Sequence, residues 1–289
     1  MREALEHLIA GEDFDSVLEE YHLNKYELLT SLRDEVVSHK QQFLDEQKEQ
    51  LKTIYLDCCS MVDLHEETVV FVSDTHFSGK YECPDYFTEV LKFCRENHIS
   101  YLFHGGDIGD GMIQPGLQYS TALKQLNHII DVYPDDSRIK QFVLGGNHDS
   151  KYQMYGIDLL KVLATHKKKI YPMGYVQSYF TVFDYPISFE HHCTIRPQYR
   201  LISLPFMITG HSHKSRFGDD YIKLPTLSND IHHKKFLDGL PGFIVMKSRE
   251  NNAEEFSLDF FRYTFSDEGI TCMGNPHTYQ FIKRKRQFN

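Results

Sequence analysis

Acidic, amide and imidazole side chains recur in four short segments of the chain, each of which directly follows an apolar run. The segments are Asp74-Thr75-His76, Gly105-Gly106-Asp107, Gly145-Gly146-Asn147-His148-Asp149 and Gly210-His211-Ser212-His213. Carboxylate and amide oxygens and imidazole nitrogens are common ligands of divalent cations in proteins. Two such cations side by side promote the cleavage of phosphate esters by hydroxide. The sequence therefore predicts a dinuclear metal site and a metal-dependent phosphoesterase.

The spacing within these segments suits a pair of cations. Asp74 and His76 lie two positions apart, so in an extended segment both side chains point to one side and reach the same cation. His211 and His213 have the same spacing, although a turn at the preceding glycine would direct them to different cations. Asn147 offers a neutral oxygen, which limits the negative charge in a site that must accept an anion.

Asp107 can bridge the two cations. Two glycines come directly before it, and residues without a Cβ let the backbone approach a crowded centre. A carboxylate at this position can bind one cation through each oxygen and hold the pair about 3.5–4 Å apart against their repulsion.

These ligands need a fold that brings distant parts of the chain together. Strand-like runs at 68–72, 99–103 and 139–144 alternate with amphipathic helical patterns at 84–97 and 117–132. This alternation is typical of an α/β layered fold, in which polar residues collect at the carboxyl ends of the strands. Further on, the pattern predicts a second, β-richer sheet packed on the first, with short strands at 179–183, 186–190, 206–209, 220–224, 242–247 and 256–262.

The four segments resemble the motifs of the calcineurin-like metallophosphoesterase superfamily. The family pattern is Asp-x-His, Gly-Asp, Gly-Asn-His-(Asp/Glu), a lone histidine and Gly-His-x-His, and the chain carries it in that order over about residues 68–215. The family's β-rich ending would run to 265, and the resemblance does not reach the first 60 residues. It implies a four-layer αββα sandwich that hydrolyses phosphate mono- or diesters by attack of a metal-bridging hydroxide.

The resemblance also implies a role for each motif residue. The first cation is expected to have four ligands: Asp74, His76, Asp107 and His213. The second is expected to be held by Asp107, Asn147, the lone histidine and His211. His148 is expected to bind no metal and to stabilise developing charge or protonate the leaving oxygen. The family's metals are usually manganese, iron or zinc, and a mixture of imidazole and carboxylate ligands does not distinguish among these metals.

The lone histidine has two candidates. A strand at 187–190 leads into His191-His192-Cys193, where the family usually has His-Gly. We take His191, the first residue after the strand, as the ligand. His192 is the alternative, because the missing glycine leaves the local backbone path open.

Other polar residues near the motifs carry weaker signals. His104 precedes the Gly-Gly-Asp turn and either supports the site or has a structural role. His232 and His233 are expected in a solvated loop or at the rim of the site. Four cationic side chains flank the ligand histidines, and each is a candidate for holding a phosphate oxygen: Arg196, Arg200, Lys214 and Arg216.

The sequence predicts three regions: a helical segment at 1–65, a phosphoesterase domain at 66–270 and a C-terminal tail at 271–289. Residues 1–66 hold sixteen acidic and six basic residues, whereas the rest of the chain holds 25 of each. Two short helices around a break at 22–24, with Asn24 as a candidate cap, outline a helix-turn-helix, and a polar helix follows at 34–56. Because a phosphate backbone repels acidic surfaces, we expect this segment to pack on the main domain, a partner or a second subunit.

Two alternatives to a phosphatase or phosphodiesterase follow from these patterns. A nuclease acting on DNA or RNA is favoured by the helix-turn-helix-like start and disfavoured by the charge balance. A non-catalytic scaffold with the same fold would have lost ligand positions, whereas here each expected ligand type is present.

The cysteines and the hydropathy indicate a compartment. The six cysteines form no CxxC pair, the first residues show no signal segment, and there is no apolar run of about eighteen residues. We therefore expect reduced thiols, no membrane span and a cytoplasmic protein.

Overall fold

The computed structural model describes residues 3, 4, 7, 14–22, 62–65, 67–114, 116–175, 177–191, 206–230, 235–266 and 269–283. The chain divides into two compact units, Met1–Cys58 and Cys59–Asn289. In the first unit, helix α1 (Phe14–Glu20) buries Val17 and ends in a turn at His22, which has a positive φ of 51°. The second helix, the Asn24 cap and the polar helix expected in this unit lie outside the described residues.

In the described part of the second unit, fourteen strands form two sheets. They are β1 (Asp63–Leu64), β2 (Thr68–Val72), β3 (Tyr101–His104), β4 (Lys140–Gly145), β5 (Ile170–Tyr175), β6 (Gln177–Val182), β7 (Tyr185–Glu190), β8 (Met207–Thr209), β9 (Arg216–Phe217), β10 (Tyr221–Lys223), β11 (Gly242–Glu250), β12 (Glu255–Ser266), β13 (Gly269–Cys272) and β14 (His277–Ile282). The helices are α2 (Pro84–Glu96), α3 (Ala122–Val132) and α4 (Leu159–His166), with 3-10 segments at Asp149–Tyr155 and Leu237–Gly239.

The larger sheet has the order β13-β12-β11-β2-β3-β4-β5, and β14 also pairs with β12. Its strands β2 to β5 are parallel neighbours, as expected for strands joined by helical crossovers, and β11 runs antiparallel to β2. The smaller sheet has the order β1-β6-β7-β8-β10-β9, in which β7 and β8 are parallel. Parallel strands end at one edge of a sheet, so both sheets present a row of carboxyl ends.

Alternation along each strand of the larger sheet separates two cores. In β2, Val70 and Val72 face helices α2 to α4, where Phe87 of α2 is fully buried. Val69 and Phe71 face the smaller sheet. Helix α2 buries residues at three- and four-residue steps, which is the spacing of one helical face.

Phenylalanines fill the space between the two sheets. Phe103 of β3 is fully buried, and its ring centroid lies 5.3 Å from that of Phe71 and 5.0 Å from that of Phe142. From the opposite sheet, Phe180 and Phe189 approach the same ring at 4.8 and 5.7 Å. Offset and edge contacts at such distances add to the stabilisation that comes from burial alone.

The larger sheet extends into the region where the sequence analysis places a tail. Strand β14 pairs with the first half of β12, and Phe281 lies opposite Phe256. Tyr279 and Phe281 also contact Phe206, with ring centroids 4.7 and 5.3 Å apart. The alternating aromatic residues of 277–282 explain this pairing, which the boundary at residue 270 does not anticipate.

The predicted α/β fold with two packed sheets is confirmed. Helices α2 to α4 form one outer layer, and the described residues supply no helix for the second outer layer of the expected four-layer arrangement. No described helix is both long and apolar enough to cross a membrane.

Candidate metal centre

The carboxyl ends of strands from both sheets meet at one place. Asp74, Asp107 and Asn147 follow the parallel neighbours β2, β3 and β4 within three residues. His191 directly follows β7, and His211 follows β8. The backbone N–H of residue 210 donates to the carbonyl of residue 190 at 3.1 Å, which joins the ends of β7 and β8.

Hydrogen bonds lock these strand ends together. The N–H of Asp74 donates to the carbonyl of Gly106 at 2.9 Å, and the N–H of His76 donates to that of Asp107 at 3.0 Å. The N–H of His211 donates to Oδ2 of Asp74 at 3.0 Å. The backbones of Asp74, His76 and His211 are therefore held by hydrogen bonds between the turns.

Five of the seven expected metal ligands have a left-handed backbone. The φ angles are positive at these residues: Asp74 (56°), His76 (45°), Asp107 (53°), His211 (67°) and His213 (56°). Side chains with a Cβ rarely adopt this conformation, and where they do it often marks a functional site. The concentration of such angles at these turns shows that the backbone is bent to direct side chains to one point.

Gly106 is required where these turns approach each other. Its φ is +97°, and a Cβ on it would lie 2.6 Å from Nδ1 of His191 and 2.8 Å from the backbone nitrogen of Gly146. Any side chain at this position would displace the candidate ligand.

The first group of candidate ligands is Asp74, His76 and His213, whose ligand atoms lie within 4.8 Å of one another. The Nε2 atoms of the two histidines are 3.0 Å apart. Oδ1 of Asp74 lies 3.4 Å from Nε2 of His213 and 3.9 Å from Nε2 of His76. This oxygen is buried and accepts no hydrogen bond from the described residues.

The second group is formed by Asp107, Asn147, His191 and His211. Nε2 of His191 lies 3.0 Å from Oδ2 of Asp107 and 3.1 Å from Oδ1 of Asn147. Nδ1 of His191 donates to the carbonyl of Gly105 at 2.6 Å, which fixes the ring. His211 belongs to this group by distance, since its ligand atom lies within 4.8 Å of those of Asp107 and His191.

This donor set fits a pair of divalent cations. A buried carboxylate oxygen without a donor costs free energy, and here it faces imidazole nitrogens, a ligand type common in metal sites. Asp107 belongs to the second group, and it also lies close to the first: its Oδ2 is 3.0 Å from Nε2 of His191 and 3.8 Å from Nε2 of His76. The sequence-predicted ligands are thus brought together in two neighbouring groups, with Asp107 between them.

The charges of the carboxylates shape the titration of the histidines. Burial alone lowers the pKa of His191, but its hydrogen bond to Asp107 and the charge of Asp74 outweigh it and raise the pKa to about 9. For His213, burial again lowers the pKa, but Asp74 and Asp230 outweigh burial and raise the pKa to about 9. At His76 burial prevails over the nearby carboxylates and lowers the pKa to about 4.

The two carboxylates have the opposite shift. Burial raises the pKa of Asp74 and of Asp107, but the interactions with the neighbouring histidines outweigh burial and hold both pKa values below the usual range. The centre therefore keeps its carboxylates ionised and needs positive charge beside them. Imidazolium groups supply that charge, and a bound cation has to displace their protons.

Asp230 is a functional candidate that the sequence analysis does not identify. Its Oδ2 lies 3.0 Å from Nδ1 of His213, on the side of the ring opposite the nitrogen that faces Asp74. A carboxylate in this position orients a ligand imidazole and raises its basicity. In the sequence, the only hint of a role for Asp230 is that it comes just before the two histidines at 232 and 233. No spacing rule connects it to His213.

Asp149 holds two of the ligand turns together. It is fully buried, and it accepts from the N–H groups of Ile108 (3.1 Å), Gly109 (2.9 Å) and Gly146 (2.8 Å). Burial and the charge of Asp107 raise its pKa to about 7, against the effect of these donors. The sequence shows Asp149 as the last residue of its motif, but this cross-turn role is visible only in three dimensions.

His104 supports the same region. The N–H of Gly106 donates to its Nδ1 at 3.2 Å, so Nε2 carries the proton and donates to Oγ1 of Thr75 at 3.2 Å. Thr75 in turn donates to the carbonyl of Ile108 at 3.1 Å. Burial lowers the pKa of His104 to about 3, so the ring stays neutral, and it joins the Asp74 turn to the Asp107 turn.

His148 lies at the edge of the two groups. Its N–H donates to Oδ1 of Asp107 at 2.8 Å, and its Nδ1 donates to the carbonyl of Asp110. With Nδ1 engaged in this way, Nε2 is the ring nitrogen that remains available to a ligand. A ligand atom of His148 also lies within 4.8 Å of those of His76 and Asp107.

The remaining candidates are not drawn into the centre by any described contact. Lys214 lies over the ring of Phe236, 4.8 Å from its centroid, and Arg216 begins the short strand β9. Five others lie outside the described residues: His192, Arg196, Arg200, His232 and His233.

A cleft of about 620 Å³ opens beside the centre. Its lining includes five residues of the centre: His76, Asp107, His148, His211 and His213. The rest of the lining comes from residues 78–81, from the segment between Asp110 and Gln118, and from Ser228 and Asp230. The candidate metal ligands are therefore accessible to a small molecule.

Comparison with known proteins agrees with this arrangement. Residues 67–193 match the family model described as calcineurin-like phosphoesterase. This part of the chain is therefore a calcineurin-like phosphoesterase domain, and the resemblance expected from the motifs is confirmed. The family points to metal-dependent hydrolysis of phosphate esters. The matched segment contains His191 and ends before His211 and His213.

A solved structure described as "GAP50 the anchor in the inner membrane complex of Plasmodium" is also similar. The sequence identity is 14%, the TM-score is 0.42, and the alignment covers 76% of this chain and 90% of the other. Comparison with curated protein sequences gives no match.

Proposed function

We propose that this protein hydrolyses phosphate mono- or diesters with two divalent cations, of which manganese, iron and zinc are the candidates. The observation that carries the proposal is that Asp107 lies between two groups of candidate ligands. Its Oδ2 is 3.8 Å from Nε2 of His76, which is grouped with Asp74 and His213. The same oxygen is 3.0 Å from Nε2 of His191, which also lies 3.1 Å from Oδ1 of Asn147. The resemblance expected from the motifs and the family match over 67–193 support the same reaction.

In this proposal the ligands divide as the family pattern implies. Asp74, His76 and His213 would hold one cation, and Asn147, His191 and His211 would hold the other. Asp107 would serve both. When bound, the cations lower the pKa of a water molecule and neutralise charge on the phosphoryl oxygens. Asp230 orients His213, while Asp149 and His104 hold the ligand turns together through hydrogen bonds.

His148 handles the proton of the leaving group. Because its Nδ1 is engaged by the carbonyl of Asp110, Nε2 is the atom that can exchange a proton with substrate. An imidazole suits this role near neutral pH, and such a group typically contributes about 10²–10⁴-fold to the rate. Its position in the lining of the cleft supports contact with the ester.

The proposal is tested by metal analysis combined with a substrate panel. The panel contains p-nitrophenyl phosphate, its bis-ester, cyclic nucleotides and single- and double-stranded oligonucleotides, each with added manganese. Activity on the bis-ester alone would assign a phosphodiesterase, and activity on oligonucleotides would assign a nuclease. A purified protein that binds no manganese and turns over none of these compounds would contradict the proposal.

The role of His148 is tested by His148→Ala against the control His166→Ala, which removes an exposed histidine of α4. We expect H148A to lose about 10²–10⁴-fold in kcat while it keeps its metal content. The control H166A should retain the wild-type kcat and the wild-type metal content. Loss of metal in H148A would make His148 a ligand and contradict its assigned role.

A further inference from the structure

Two exposed apolar side chains lie at the mouth of the cleft. Met112 and Leu117, which together we name the apolar wall, line the cleft and are 39% and 45% exposed. Apolar side chains presented at the rim of a concave site are typical of ligand contacts. They lie outside the ligand groups and have no role in the proposed chemistry.

Buried hydrogen bonds hold the segment that carries the apolar wall. Gln125 of α3 is 1% exposed, and its Nε2 donates to the carbonyls of Met112 at 2.8 Å and Tyr119 at 3.1 Å. Its Oε1 accepts from the hydroxyl of Tyr152 at 2.6 Å, and that hydroxyl oxygen accepts from the N–H of Gly111 at 3.3 Å. Because this backbone is fixed on both sides of the wall, the two side chains are presented to the cleft rather than folded into the core.

A second network ties this segment to another part of the lining. The N–H of Ser78 donates to Oε2 of Glu82 at 2.7 Å, and Glu82 contacts Nε2 of His128 at 2.8 Å. Nδ1 of His128 lies 3.0 Å from the hydroxyl of Tyr119, whose ring stacks on the imidazole. Ser78 and its neighbours up to Tyr81 line the same cleft, so the network fixes the separation of the two linings. The cleft is preformed.

The charges of the lining restrict what the apolar wall can bind. Among the described residues of the lining, the carboxylates are Asp107, Asp110 and Asp230, and the one lysine is Lys80. Beside the lining, Nζ of Lys151 lies 3.6 Å from Sδ of Met112. Three carboxylates stand against these two lysines, so a second phosphate group would gain little net attraction beside the wall. The binding of an uncharged group does not depend on these charges, and burial against methionine and leucine would stabilise it.

We infer that the apolar wall binds an uncharged aromatic or heteroaromatic ring carried by the phosphate ester, and so selects ring-bearing esters over aliphatic ones. The inference rests on the proposed function, since the phosphate must occupy the metal centre for the ring to reach Met112 and Leu117. An aryl ester, a nucleotide and a terminal nucleotide of a strand share this chemistry.

The test measures binding, so it does not depend on turnover. Phenylphosphonate and methylphosphonate differ only in the ring, and neither is hydrolysed at its P–C bond by ester cleavage. Their dissociation constants are measured by calorimetry on the full chain with manganese, for the wild type and for Met112→Ser and Leu117→Ser. Both side chains are partly exposed, so neither substitution opens a cavity in the core.

Two matched controls accompany the variants. Met154→Ser and Leu123→Ser remove the same side-chain types at positions that are 83% and 61% exposed and do not line the cleft. We expect the wild type and both controls to bind phenylphosphonate about tenfold more tightly than methylphosphonate, the order of effect expected from partial burial of a ring. M112S and L117S should lose most of that preference and keep their affinity for methylphosphonate.

The outcomes separate the inference from the function on which it rests. Equal binding of the two phosphonates by the wild type, or a preference that survives both wall substitutions, would overturn the inference and leave the phosphoesterase intact. If neither phosphonate bound in the presence of manganese, the inference and the proposed function would both be overturned. If the ring preference is found, competition by thymidine monophosphate and by a short oligonucleotide identifies the source of the ring, and a tenfold loss of the better competitor in L117S would support the assignment.

Discussion

The space between the two sheets and the metal centre are built from the same strands, yet they differ in almost every physical respect. Phe71 of β2 lies among phenylalanine rings on a regular backbone, and three residues later Asp74 is a buried carboxylate with a positive φ. The first region stabilises the fold through apolar burial, whereas the second concentrates buried charged groups and turns with positive φ. Stability therefore depends on residues of the strand, and the candidate chemistry depends on the turn that follows it.

The largest effect on folding should come from the phenylalanine core. Phe103→Ala removes a fully buried ring that contacts phenylalanines of both sheets, and such truncations cost about 3–5 kcal/mol in the free energy of unfolding. Chemical denaturation measures this loss. Phe236→Ala, at a residue that is 57% exposed, should change stability by less than about 0.5 kcal/mol. If F103A lost no more than F236A, the core would not be the main source of stability.

The metal centre should affect stability only through its cation. Manganese at a hundred times its dissociation constant should raise the free energy of unfolding by about 2.7 kcal/mol, because it binds the folded state alone. Asp107→Asn should abolish this increase, since its Oδ2 lies within 4 Å of a histidine of each ligand group. Asp131→Asn, an exposed position on α3, should retain it. Thermal unfolding with and without manganese measures the increase for each variant. If manganese stabilised D107N as much as the wild type, Asp107 would not be a metal ligand.

Metal affinity should rise with pH up to about 9. The pKa values of His191 and His213 are raised to about 9, so below that pH both rings are protonated and a cation must displace the protons. Each displaced proton weakens binding by up to about tenfold per pH unit, and this cost disappears as the pH approaches 9. Titration calorimetry in buffers of different ionisation enthalpy counts the released protons. Equal affinity at acidic and alkaline pH would contradict the charge balance described for the centre.

The smallest of these effects should come from a residue that touches the centre only through His213. Asp230→Asn keeps the side-chain volume but removes the carboxylate from Nδ1 of His213, and such changes typically cost about 10–100-fold in metal affinity. Asp219→Asn, in an exposed loop, is the matched control. Affinity in D230N that equals the control would show that His213 needs no orientation by this carboxylate.

The two regions also differ in how far the sequence predicts them. The strands at 68–72 and 242–247, and the helices at 84–97 and 117–132, are found close to their expected positions, because their apolar residues recur at regular steps. Strand β5 and helix α4 were not expected, and β14 was expected as a tail. Short segments of this kind depend on partners far away in the chain, so their own pattern is a weak guide.

The candidate ligands could be named from motif spacing, whereas the groups that hold them could not. Asp74, Asp107 and His191 stand directly after predictable strands, so their convergence follows from the carboxyl ends of parallel strands. Asp230 and Asp149 act through hydrogen bonds across turns, and no periodicity of the sequence encodes such contacts. The ligand assignments themselves stay predictions until a metal-bound protein is measured.

The position of β2 has a consequence for how the chain is made. It lies between β3, which follows it closely, and β11, which comes after every candidate ligand in the chain. Until Gly242–Glu250 emerges, one edge of β2 has unpaired backbone groups, and such edges recruit strands from other chains. A nascent chain stalled beyond residue 230 would thus carry all the metal ligands and still be prone to aggregate, which makes late synthesis the stage at which a chaperone would be needed.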